Sequence, residues 1–184
     1  MERTHTAHYS APTKAIHWFT AVLVLFAFIY GPGGSEERIY SAARDFDRQL
    51  HETLGGCVLS LVLVRVLWLL FDKRPEPPAL ARWMGVMAML VRVALYVLLF
   101  AVPLTGMSSA WLEGHPLTLL GSIAVAPLLP RVHAFGMTIA AVHSWLGDAI
   151  LWLAGAHAAA GLYHHYILKD GVLLSMLPGR GSTT

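Results

Sequence analysis

Four histidines, His17, His51, His143 and His157, stand in or at the ends of apolar stretches long enough to cross a bilayer, and they are the residues with chemistry to offer. A neutral imidazole gives one ring nitrogen to heme iron while its other N–H is held by a neighbouring acceptor. Two such ligands saturate the iron, which favours electron transfer over oxygen binding. The spacing of His143 and His157 matters most: fourteen residues of helix climb about 21 Å and return to within about 40° of the starting face. One helix can therefore present a ligand near each side of a membrane. Depth then pairs His51 with His143 at one level and His17 with His157 at the other. These pairs predict two hemes stacked across the bilayer.

Two other chemistries fit the same residues. A single intramembrane histidine can simply hydrogen-bond a neighbouring helix, and four can bind a transported metal such as zinc. Zinc normally takes three or four ligands, and carboxylates or thiolates beside these pairs are lacking, so the pairs suit heme better. The residue four positions on from each histidine is small: Ala21, Gly55, Gly147 and Gly161. Position i+4 shares the helical face, so a small side chain there leaves room for a macrocycle, although glycine also serves helix packing in membranes. His5, His8, His115 and His133 read as solvated surface residues.

The elements that must position these residues follow from composition. With 184 residues, 56% hydrophobic and 13% charged, the chain is too apolar for an ordinary soluble domain. It reads as an integral membrane protein of the all-α class, a four-helix bundle forming one domain over 1–184. Helices are expected at about 13–30, 49–71, 83–111 and 133–168. Pro12 suits a first turn, Gly31-Pro32-Gly33-Gly34 ends the first span, and Pro75, Pro77 and Pro78 mark the clearest break. A kink is expected at Pro103. The segment 113–131, with Pro116, Pro127 and Pro130, reads as an irregular or interfacial excursion rather than a fifth span. The first apolar stretch lacks a cleavage site, so it is expected to be retained. Cys57 is the only cysteine, which excludes an intramolecular disulfide and covalent heme attachment through a Cys-x-x-Cys-His run. Charges are scattered without a basic stripe, so there is no footprint for nucleic acid.

Arg3, Lys14, Lys73, Arg74, Arg82, Lys169 and Arg180 fall on one face, against Arg38, Arg44, Arg48 and Arg131 on the other. The basic excess predicts cytoplasmic termini. Arg65, fourteen residues beyond His51, lies at the inner level and can meet a heme propionate or snorkel to the surface. Arg92 invites the same two readings. Arg48, one turn before His51, can bind an outer propionate or attract an anion. His164, seven residues after His157, can bond a quinone carbonyl and supply a proton, or merely meet water. Tyr166 and Lys169 can complete a quinone rim or anchor the helix at the headgroups. Asp148 needs a partner or water.

These residues carry a resemblance to the bacterial cytochrome b561 family over the full length. It rests on Lys14-Ala15-Ile16-His17-Trp18 opening the first span, His51 opening the second, and Pro103 and Gly106 in the third. Its most specific piece is the run His157-Ala158-Ala159-Ala160-Gly161-Leu162-Tyr163-His164-His165-Tyr166 followed by Lys169-Asp170. The resemblance implies a four-helix protein of the bacterial inner membrane with two heme b groups between its helices, the same four ligands, and electron exchange with ubiquinone as acceptor or donor. In one branch of the family superoxide is oxidised on the outer side and quinone takes the electrons. The alternative is an electron-transfer subunit linking a dehydrogenase or soluble cytochrome, as redox partner, to the quinone pool. The outer face sets Arg38, Arg44, Arg48 and Arg131 against Glu36, Glu37, Asp45, Asp47, Glu52 and Glu113, so it has no net positive charge to steer superoxide.

Overall fold

The computed structural model describes residues 9–72, 81–121 and 123–177. Arg3, His5, His8, Lys73, Arg74, Arg180 and the prolines at 75, 77 and 78 lie outside the described residues. Four helices are long and apolar enough to cross a membrane. α1 covers Ala11–Ile29, a short α2 Glu36–Ile39, α3 Asp45–Trp68, α4 Arg82–Glu113, α5 His133–Tyr163 and a short α6 Val172–Met176. The first and last described segments meet at one end of the bundle, the proximal end: the Tyr9 N–H donates to the Ser175 carbonyl, and the Trp18 indole N–H to the Met176 carbonyl at 2.9 Å. The opposite, distal end carries the α1–α3 and α4–α5 connections.

Local chemistry sets the ends of these helices. Ser10 caps α1 by accepting from the Thr13 N–H, and Pro12 sits in the first turn where its missing N–H costs no hydrogen bond. α3 begins at Asp45, about a turn before the expected start, because Asp45 and Asp47 place negative charge against the helix N-terminus. It ends at Trp68, where Trp68 donates to the Thr13 hydroxyl, which in turn bonds Asp72. That cluster ties the start of α1 to the end of α3. α4 remains helical through Pro103 and stops at Gly114, whose φ of 94° is left-handed backbone that a glycine adopts without strain.

The distal connection 113–131 contains a feature that its proline content obscured. β1 (Leu117–Leu119) and β2 (Ile123–Val125) form an antiparallel hairpin, Thr118 opposite Ala124. It is sewn to the start of α3, where the Glu52 carboxylate accepts from the Thr118 N–H and the Thr53 hydroxyl from the Leu120 N–H. α5 continues into a π-helical turn, His164–Leu168, making a 36-residue rod about 54 Å long. That exceeds a hydrocarbon core of about 30 Å.

α4 packs most extensively on α5, and α1 on α3. Val58, Val62, Leu99 and Ile150 meet at the centre, Val62 fully buried, with Leu23 and Val24 of α1 against them. The bundle's outer surface is apolar: Trp145 and Trp152 are each 79% exposed on the helix that carries two of the four histidines. In lipid such side chains face acyl chains rather than water.

Candidate functional site

The structure brings His51 beside His143, ring centroids 5.9 Å apart, and His17 beside His157 at 6.4 Å. The planes are nearly perpendicular, at 83° and 78°. Two imidazoles bonded to one metal through nitrogens at about 2.0–2.1 Å have ring centres roughly 6 Å apart, so each gap is the width that a shared metal requires. α3 and α5 supply the distal pair, α1 and α5 the proximal pair.

The distal rings are held from behind. His51 Nδ1–H donates to the Ala27 carbonyl at 2.7 Å, and His143 Nδ1–H donates to the Val102 carbonyl at 2.9 Å. A carbonyl only accepts, so both Nδ1 atoms carry the proton and both Nε2 lone pairs are free for a metal. The Thr105 hydroxyl stands 3.4 Å from the same Nδ1 of His143, and donates to the Ala101 carbonyl. Gly106 is required here for close approach: a Cβ there lies 2.9 Å from the His143 ring.

The proximal rings are set differently. Arg65 Nη1 lies 3.4 Å from His17 Nδ1, its guanidinium also stacking on Tyr96 at 5.4 Å. Arg65 Nε is buried without a partner among the described residues. The side chain therefore turns inward beside His17 instead of snorkelling. Arg92 is exposed on α4. Asp148 is exposed on α5.

Room for a macrocycle is also present. A Cβ built at Gly55 or Gly147 meets nothing within 4 Å, and at Gly161 only the tip of Leu173 at 3.7 Å. Arg48 is 9% exposed and bonded by the Asp45 and Glu52 carboxylates, which neutralise it, while its Nε is buried and partnerless among the described residues. Trp111 Nε1 is a third such donor, which the sequence did not single out.

Beyond the proximal pair, His164 Nδ1–H donates to Asp170 at 2.5 Å, and Asp170 also caps the Val172 N–H at 3.1 Å. Lys169 turns the chain with a left-handed φ of 54°, which brings Asp170 back under His164. Tyr166 and Lys169 are exposed. The Asp170 partnership escaped the sequence reading because it depends on that one left-handed residue.

At the distal surface His133 is exposed, as expected, but His115 is not simply solvated. His115 Nε2 bonds Glu36 at 2.8 Å and its ring stacks on Tyr40 at 3.5 Å, while His133 Nε2 lies 3.7 Å from Glu36. The His115 hydrogen bond, ahead of smaller influences, holds the Glu36 carboxyl below the usual carboxylate range. Burial pushes the Tyr40 phenol up.

Four apolar helices carrying two pairs of facing imidazoles match a membrane cytochrome. The chain belongs to the prokaryotic cytochrome b561 family, whose model matches residues 8–179. It is 29% identical to cytochrome b561 homolog 2 of Escherichia coli (strain K12) over 176 residues, 95% of this chain and 93% of that protein. It is 29% identical to the probable superoxide oxidase CybB of Yersinia pestis, over 92% of this chain and 96% of the relative. Cytochrome b562 of Cereibacter sphaeroides is 31% identical over 96% and 99% of the two chains. The protein is thus a bacterial multi-pass membrane cytochrome of the electron-transfer type, and family membership implies heme b. The residues present fit that group at the distal pair, where His51 and His143 both keep Nε2 free beside open space at Gly55 and Gly147, and Arg65 brings a buried, partnerless Nε to the proximal pair.

Proposed function

We propose that this cytochrome holds two hemes b, one by His51 and His143 and one by His17 and His157, and moves single electrons from superoxide outside the inner membrane to ubiquinone. When bound, the hemes supply reversible one-electron chemistry. The observation that carries the reading is the pair of metal-width gaps between imidazoles on α5 and its neighbours. The basic excess near the proximal end supports placing that end in the cytoplasm, Lys14, Arg82 and Lys169 contributing among the described residues.

In this reading each chain residue has a definite task. Ala27 and Val102 keep the distal imidazoles in the metal-binding tautomer. Arg65 would donate to a carboxylate of the cofactor, and Gly55, Gly147 and Gly161 would leave its faces room. Two superoxide ions each lose one electron and leave as oxygen; one ubiquinone gains two electrons and two protons. His164 Nε2 hands a proton to the quinone oxygen, with Asp170 fixing the opposite nitrogen, and Tyr166 and Lys169 border the headgroup's approach.

Purified heme-loaded protein mixed with superoxide and ubiquinone tests this directly. Oxidation of superoxide should be matched by quinol at one quinol per two superoxides. Superoxide loss without quinol, or neither, removes the assignment.

A second reading is favoured by charge. Among the residues of the distal connections six carboxylates outnumber four arginines, which repels rather than steers a small anion. The cytochrome then serves a dehydrogenase or soluble cytochrome as its quinone-linked subunit. Co-purification of such a partner, with indifference to superoxide, distinguishes this case.

A further inference from the structure

We propose that Glu36, Glu113 and His115, with His133 as a fourth donor, bind one divalent transition-metal ion, of which Zn2+ is the best match, at the distal end of the bundle. One ligand atom from each of the first three lies within 4.8 Å of the others, and His133 Nε2 is 3.7 Å from Glu36. A zinc ion bonded at about 2.0–2.2 Å holds tetrahedral donors roughly 3.5 Å apart, a closure that side-chain rotation supplies. The set of two imidazoles and two carboxylates suits zinc and its neighbours rather than Mg2+ or Ca2+, which take oxygen.

An independent observation points to a missing cation. Glu113 is 8% exposed as a whole residue, and its carboxylate, which keeps some contact with solvent, makes no hydrogen bond among the described residues. Buried carboxylates without donors are costly, and a bound cation removes the cost. Its burial is built in: Gly136 of α5 packs where a Cβ would lie 2.8 Å from Glu113 Cγ, so only glycine lets the helix close over it. The left-handed Gly114 turns the chain between Glu113 and His115, and the Tyr40 ring stacked on His115 restrains that imidazole. Arg131, whose side chain packs at Gly114, offsets only one of the two carboxylates, so the pocket retains net negative charge.

Such an ion links three segments distant in sequence: α2, the end of α4 and the start of α5. It also cancels the two-charge excess of carboxylates over arginines on the distal connections, whichever donor is used there. The test is titration of full-length, heme-loaded, chelator-washed protein with Zn2+ alone, followed by zinc X-ray absorption. One saturable Zn2+ per chain is expected, bound at micromolar concentration or below, with nitrogen and oxygen at about 2.0–2.2 Å. Glu36→Gln and His115→Gln, both at partly exposed positions, should each weaken it at least tenfold while the heme bands stay unchanged. Absence of saturable binding, equal binding by the double variant, or equal affinity for Mg2+ overturns the proposal.

Discussion

The two histidine pairs occupy matching places at opposite ends of the bundle and are prepared for a metal in different ways. At the distal end both rings already donate Nδ1–H to backbone carbonyls of α1 and α4, so their tautomer and orientation are set by the helices themselves. At the proximal end His17 faces a guanidinium, which can only donate, and among the described residues no acceptor fixes its Nδ1 proton. The distal rings are oriented by backbone carbonyls, and the proximal His17 is not. The electrostatics differ in the same sense. Carbonyl acceptors face the distal imidazoles, whereas the Arg65 guanidinium stands beside the proximal His17.

The largest effect expected is loss of one heme at a time. His143→Ala should remove the distal heme and His157→Ala the proximal one, each lowering pyridine-hemochrome content by about half; loss of both from either change breaks the picture of separable sites. Next is Gly106→Val, which drives a side chain into the His143 ring. It should displace the distal low-spin signal in electron paramagnetic resonance and leave the proximal signal in place. Arg65→Gln should lower the proximal midpoint potential by about 50–100 mV, the effect of one charge several ångströms away in a medium of effective dielectric about 20, with little change at the distal heme. A redox titration resolving both hemes checks the sign and the selectivity. Asp170→Asn should leave both spectra unaltered and slow quinone reduction about tenfold, with a changed pH profile, because His164 loses the partner that holds its proton.

Most of what brings the histidines together was readable in the residues, because helix pitch converts spacing into depth and bilayer thickness limits helix length. His143 and His157 needed only that arithmetic, and the small residues Gly55, Gly147 and Gly161 fall where the structure leaves space. What escaped depends on contacts between parts distant in sequence. Three-residue strands at 117–119 and 123–125 carry too short a pattern to be seen, and they are held by Glu52 and Thr53, over sixty positions earlier. His115 reads as a surface residue until Tyr40 and Glu36 are placed beside it. Arg48 looks available to an anion until Asp45 and Glu52 close on it.

His143 and His157 ride on a single uninterrupted α-helix, so the distance between them is set by backbone pitch and not by the surrounding lipid. Membranes of different thickness change the lean of such a rod more readily than its length. In the proposed diheme arrangement, tunnelling between sites anchored to it would be insulated from the fatty-acid composition of the cell, which a design with each ligand on its own tilting helix would not achieve.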